Sequence, residues 1–213
     1  MPQSASVRPP RQRRSRESYE RVLKAAERLL EENGFDGFTV QEVAARSEVS
    51  VGAIYERFGN KESLLRVVHA RLMDALGEAQ ERLEHAAPAP DAHAAIAQAV
   101  GGLARVSAEH RQALRAFMHL GAVDDAIAQR GSRSSIELGR AFKAQVLAHR
   151  ASIAHPDPEL AADVAFRMVY CTLARQIMYG PTFESNRRIR WARLVEELTG
   201  ACSSYLLGGT PRA

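Results

Sequence analysis

Residues 39–65 read TVQEVAARSEVSVGAIYERFGNKESLL, and the spacing within them decides the fold. Val40, Val43 and Ala44 give one short helix an apolar face. Val49 sits in a tight connection, and Ile54 and Phe58, four apart, turn a second helix inward. Ser50, Gly52, Ala53, Tyr55, Glu56 and Arg57 are left on or near the outer surface. A short helix with small residues at its start and polar ones beyond enters a major groove without steric conflict. The stretch therefore reads as a helix-turn-helix, and Asn60 is a good N-cap for a third helix.

The pattern around this stretch is helical throughout. Upstream, Tyr19, Val22, Leu23, Ala26, Leu29 and Leu30 repeat at threes and fours until Asn33-Gly34 stops them. Downstream, Leu65, Val68, Leu72, Leu76, Ala79 and Leu83 form one long stripe that runs out of the head, a mechanical link ended by Pro88 and Pro90. Residues 92–107, 112–128, 134–151, 159–179 and 186–207 carry further helical patterns, separated by Pro and Gly breaks. The expectation is an all-α chain of eight to ten helices without a sheet. Its parts are a basic arm over 1–15, a three-helix helix-turn-helix domain over 16–62, and a helical domain over 63–208.

Composition narrows the class. The chain has 213 residues, nearly half apolar and a quarter charged, which is ordinary globular usage. No apolar run approaches the roughly 20 residues that cross a bilayer. The N-terminus lacks the apolar region of a secretory signal, so no membrane partner and a cytoplasmic location are expected. Net charge is +4, but Arg8, Arg11, Arg13, Arg14 and Arg16 give residues 1–16 a local +5 with no acid. Residues 17–70 hold seven basic and ten acidic side chains, so the cationic footprint is a tail beside the reading head. Cys171 and Cys202 read as small buried hydrophobes rather than a disulfide. The acidic pairs Glu31-Glu32, Asp124-Asp125 and Glu196-Glu197 read as solvated surface.

Gly34-Phe35, Thr39-Val40, Val43-Ala44, Val49-Ser50, Gly52, Ile54-Tyr55, Phe58, Lys61-Glu62 and Leu64-Leu65 together resemble the N-terminal domain of the tetracycline-repressor (TetR) family of transcription regulators. The likeness covers about residues 16–70 and rests on fixed offsets; the remainder matches only as a helical region of suitable length. It implies a homodimer whose two heads enter successive major grooves of a palindromic double-stranded operator. It also implies a C-terminal domain that binds a small-molecule effector and dimerises through its last two long helices. Thr39, Ser50, Tyr55 and Lys61 resemble phosphate contacts, and Gly52 a close approach of backbone to DNA. Ala53 resembles a contact with a thymine methyl. Gln41, Arg57, Arg13 and Arg14 complete the DNA-facing set, with a solvated face the alternative for Arg57. Where many members have Gly, Lys and a polar or aromatic residue, this chain has Glu48, Val51 and Glu56.

For the effector, Phe117, Met118, His119, Phe142, Met168 and Tyr170 are candidate lining, with Arg105 or His119 as polar anchors. Met and Phe at helical spacing serve equally as plain core. For the dimer, Leu173 and Ile177 on one helix and Trp191, Leu194, Leu198, Cys202 and Tyr205 on the last are the candidates. No metal-ligand spacing, nucleophile elbow, P-loop or dinucleotide fingerprint occurs. The expectation is accordingly no enzyme, no metal and no cofactor. The competing class is a helical small-molecule-binding or interaction protein whose head no longer reads DNA.

Overall fold

The computed structural model describes residues 13–84 and 87–208, so the expected basic arm lies outside them up to residue 12. The described residues form α1 (Arg13–Asn33), α2 (Val40–Ser47), α3 (Val51–Phe58), α4 (Lys61–Glu84), α5 (Ala92–Glu109), α6 (Arg111–Gly121), α7 (Asp125–Leu147), α8 (Pro158–Tyr179) and α9 (Trp191–Leu207). A single 3-10 turn, Arg150–Ser152, follows α7, and no strand occurs among the described residues. The fold is all-α, as the periodicity predicts. By Cα proximity the chain divides into two compact units, residues 1–75 with 110–131, and 76–109 with 132–213.

In the first unit α1 packs on α2 and α6. Val22, Leu23, Ala26, Leu29 and Leu30 are its buried stripe. Gly34, at φ +68°, ends the helix and donates its N–H to the Leu30 carbonyl at 2.9 Å. Only glycine takes this left-handed conformation without a Cβ penalty. Phe38, Val40, Val43, Ile54, Phe58, Leu64 and Leu65 close the core around it.

The sequence places one helix over 112–128, but the chain breaks at residues 122–124 and starts again at Asp125. Asp124 is the reason. Its Oδ1 accepts from the N–H groups of Ala126 (3.0 Å) and Ile127 (3.3 Å), capping α7. Its Oδ2 accepts from Arg66 Nε on α4 at 2.7 Å. Burial works to raise this carboxyl's pKa, but Arg66 and the two backbone donors outweigh it and hold it below the ordinary value. Asp124 is thus a structural cap and not solvated surface.

One turn beyond Arg66, His69 is 3% exposed and its ring meets Phe117 at 4.7 Å between centroids. Burial, with Arg130 adding repulsion, lowers its pKa from 6.5 to about 4. The ring is neutral in the folded chain, while the unfolded chain binds its proton near 6.5. Stability from this group is complete above that value and is lost as pH falls toward 4, by about 3 kcal/mol at the lower end. Urea titrations from pH 7 to 4.5 should show this loss, and His69→Gln should flatten it. A profile unchanged by the substitution would acquit His69.

In the second unit α5, α8 and α9 pack together, with α7 contributing Phe142 and Val146. Gly139 lets α7 approach α8, since a Cβ there would stand 2.8 Å from the Phe166 ring. Leu173, Cys202 and Leu206 belong to this core. Leu173, Ile177 and Cys202, expected at a dimer interface, are buried within their own chain. Trp191, Leu194, Leu198 and Tyr205 are half-buried against the same core and keep an outer side. Cys202 is a buried hydrophobe whose pKa burial raises to about 11. Cys171, in contrast, is exposed. The last helix begins at Trp191, and Arg187, Arg188 and Arg190, expected within it, precede it.

Candidate nucleic-acid interface

Two side-chain caps build the reading surface. Thr39, extended at φ −126° and ψ 149°, accepts from the N–H of Glu42 through Oγ1 at 3.1 Å and starts α2. Ser50, extended likewise, accepts from the N–H of Ala53 at 3.2 Å and starts α3. Each hydroxyl satisfies a helix-terminal donor and stays at the surface, where it can also meet phosphate. Thr39, Gln41, Ser50, Gly52, Ala53 and Tyr55 are all exposed, Tyr55 to 41%. A Cβ built on Gly52 has no atom within 4 Å, so the first turn of α3 is open to whatever approaches it.

The turn between the two helices carries strain. Glu48 is the one non-glycine with positive φ among the described residues (φ 56°, ψ 35°), and its N–H closes the end of α2 on the Ala44 carbonyl. Its carboxylate is exposed beside the surface that would meet DNA. Glu48→Gly is expected to stabilise the chain by about 0.5–1 kcal/mol, the αL penalty less the added freedom of the unfolded chain. It should also tighten binding to every duplex alike. A melting temperature that falls would contradict the strain.

Two cations already have protein partners. Lys61 donates from Nζ to the Phe38 carbonyl at 2.8 Å and lies over the rings of Phe35 (4.9 Å) and Phe38 (5.5 Å). An ammonium has further donors to give, so one side can hold the loop while another meets phosphate. Arg57 is half-buried, and its guanidinium forks onto the first turn of α1 through Ser15 and Ser18. By its position on α3 alone Arg57 would face DNA or solvent; Ser15 and Ser18 stand 42 and 39 residues away, and no local pattern marks them. Arg13 and Arg14 fall in that first turn, but their side chains lie outside the described residues. Around the head, Glu42 and Glu32 are bound to Arg46, and Glu20 and Glu27 to Arg71. Glu56, like Glu48, is exposed.

The candidate effector residues are divided between the two units. Phe117, Met118 and His119 belong to the first unit, with Phe117 in its core and His119 exposed. In the second unit Phe142 reaches Tyr170 only through Phe166, at 5.7 and 5.5 Å. The Tyr170 hydroxyl shares a 2.7 Å hydrogen bond with Ser135. Arg105 and Met168 are exposed. No group of three or more His, Cys, Asp or Glu with metal-binding geometry occurs among the described residues. No described helix is long and apolar enough to cross a membrane.

Comparison with known proteins falls on the same residues. Residues 22–68 match the family described as bacterial regulatory proteins, tetR family. A stretch of 49 residues is 43% identical to YerO of Bacillus subtilis, described as an HTH-type transcriptional regulator. It spans 23% of this chain and 17% of that relative. Over most of the chain the fold resembles a transcriptional regulator from Rhodococcus sp. (TM-score 0.66, 22% identity, 91% of this chain and 98% of that one). It also resembles a tetR-family regulator from Streptomyces coelicolor (TM-score 0.65, 20% identity, 89% and 80%). At such identities the likeness establishes the fold alone.

Proposed function

We propose that this chain, a DNA-binding transcriptional regulator of the tetR family, works as a repressor that grips a palindromic operator as a homodimer and is released by a small-molecule effector. The observation that carries the reading is the exposed row Thr39, Gln41, Ser50, Gly52, Ala53 and Tyr55 around two hydroxyl caps. In this reading residues 16–62 are the reading head and 63–208 the effector and dimerisation domain. The outer sides of Trp191, Leu194, Leu198 and Tyr205, with exposed Leu160, Met168 and Tyr179 on α8, supply the dimer face. A second reading, a helical binding protein with a silent head, draws on the exposed carboxylates of Glu48 and Glu56.

The test is selection of genomic fragments by the purified protein at two salt concentrations. One palindromic site, weaker at high salt, is the expected recovery; folded dimer that enriches nothing would favour the silent head. On the recovered site, Lys61→Ala should flatten the salt dependence by about 0.9 in log K per log salt, the share of one phosphate. An unchanged slope removes Lys61 from the phosphate contacts and leaves it as the staple of Phe38.

A further inference from the structure

The turn that joins the two short helices of the head contains one peptide group that is gripped at both ends. Its N–H belongs to Glu48 and donates to the Ala44 carbonyl, closing α2. Its carbonyl belongs to Ser47 and accepts from Arg21 Nε on α1 at 3.0 Å. A peptide group is rigid and planar, so holding its oxygen and its hydrogen together fixes ψ of Ser47 and φ of Glu48. Arg21 stands 26 residues before Ser47, and no local pattern pairs them.

The grip falls where the backbone needs it. Glu48 lies at φ 56°, a region that any side chain disfavours, and a swing of this peptide plane would carry φ back to negative values. The Ala44 carbonyl is a shared anchor: the Val49 N–H at 3.3 Å and Ser47 Oγ at 3.4 Å also donate to it, both near the limit of a hydrogen bond. The Ser47 carbonyl, at the end of α2, has no acceptor role within its own helix. Ser47 is 1% exposed, so water is a poor substitute for a donor there. The guanidinium supplies a charge-assisted donor, and a cation is favoured at a helix C-terminus.

Resting on the operator-reading proposal above, we infer that Arg21 is a positioning residue for the reading helix: by holding the Ser47 carbonyl it keeps Glu48 left-handed, and so fixes the direction in which the chain leaves α2 and Ser50 starts α3. The exposed residues of α3 are then offered to the groove in one orientation. Discrimination between sequences needs side chains placed against base edges, and depends on that orientation more than phosphate contact does. Glycine in place of Glu48 takes the same turn without penalty, so Arg21 is required because Glu48 is there.

Fluorescence anisotropy of the full chain tests this, on the operator recovered by the selection above and on a duplex of arbitrary sequence, over a series of salt concentrations with circular dichroism melts alongside. Arg21→Gln puts an amide nitrogen at the bond position of Nε and keeps a donor without charge. Arg21→Met keeps an unbranched stem with no donor, and each is also combined with Glu48→Gly. Arg21→Met is expected to cut the preference for operator by about 10-fold, one base contact's worth, with the arbitrary duplex bound as before. Arg21→Gln should keep the preference, and Glu48→Gly should restore it to Arg21→Met. The fall in melting temperature on Arg21→Met should shrink when Glu48→Gly accompanies it, a coupling that is read even where the single variant is too unstable to titrate. Weaker binding of both duplexes by Arg21→Gln and Arg21→Met alike, with the salt slope lower by about 0.9, would make Arg21 a phosphate contact and overturn the inference. So would a preference that Arg21→Met leaves intact, or a loss that Glu48→Gly does not restore. Wild type that prefers no sequence overturns the operator reading instead, and the coupled melts tell the two failures apart.

Discussion

Leu198→Glu is expected to turn a dimer into monomers and to weaken operator binding about 10²–10⁴-fold, the share that linking two heads contributes. Leu198 is half-buried on α9 in the row with Trp191, Leu194 and Tyr205. In a two-fold interface the same patch serves both protomers, so an introduced carboxylate is desolvated against the partner's apolar surface without a counter-charge. Because Leu198 also rests on its own core, Met168→Glu is the companion variant. Met168 is 37% exposed on α8, and a charge there costs an isolated protomer little. Sedimentation velocity and operator titration of both should show monomers with weak binding, Met168→Glu melting near wild type. Dimers that persist in both would remove the interface from α8 and α9.

Phe58→Ala should be the most damaging single truncation in the head. The side chain is 1% exposed, ends the reading helix, and stacks on Tyr19 with an interplanar angle of 16°. Large-to-small changes at such sites cost about 3–5 kcal/mol. An eight-residue helix has little stability of its own, so α3 stays folded chiefly by what Ile54 and Phe58 bury. Calorimetry should show a lowered transition for the variant, and anisotropy the loss of duplex binding at a temperature where wild type binds. Retained binding with a lowered melt would mean that Ile54 alone holds α3 in place.

The reading head is legible in the sequence because its determinants are local. Thr39 and Ser50 each cap a donor three residues ahead, and Val40, Val43, Ile54 and Phe58 declare their faces by spacing. What escaped depends on partners far along the chain. The break before α7 is set by Asp124 and by Arg66, 58 residues earlier, and a pair of acids in a helical pattern gives no sign of it. Arg57 looks free until Ser15 is brought to it. Periodicity identifies Leu173, Ile177 and Cys202 as apolar positions, but a stripe does not tell a chain's own core from a partner's surface. The same ambiguity holds for the effector residues: Phe142 has the spacing of a lining and the burial of a core, while Tyr170 is only half-buried against it.

The carboxylate of Asp124 divides its two oxygens, one to the N–H groups that open α7 and the other to Arg66 on α4. A carboxylate is rigid and planar, so a pull on Arg66 that turns the group also takes the first oxygen out of line with Ala126 and Ile127. One carboxylate therefore serves both the ion pair and the cap, so its removal unties α4 and opens the start of α7 in the same step.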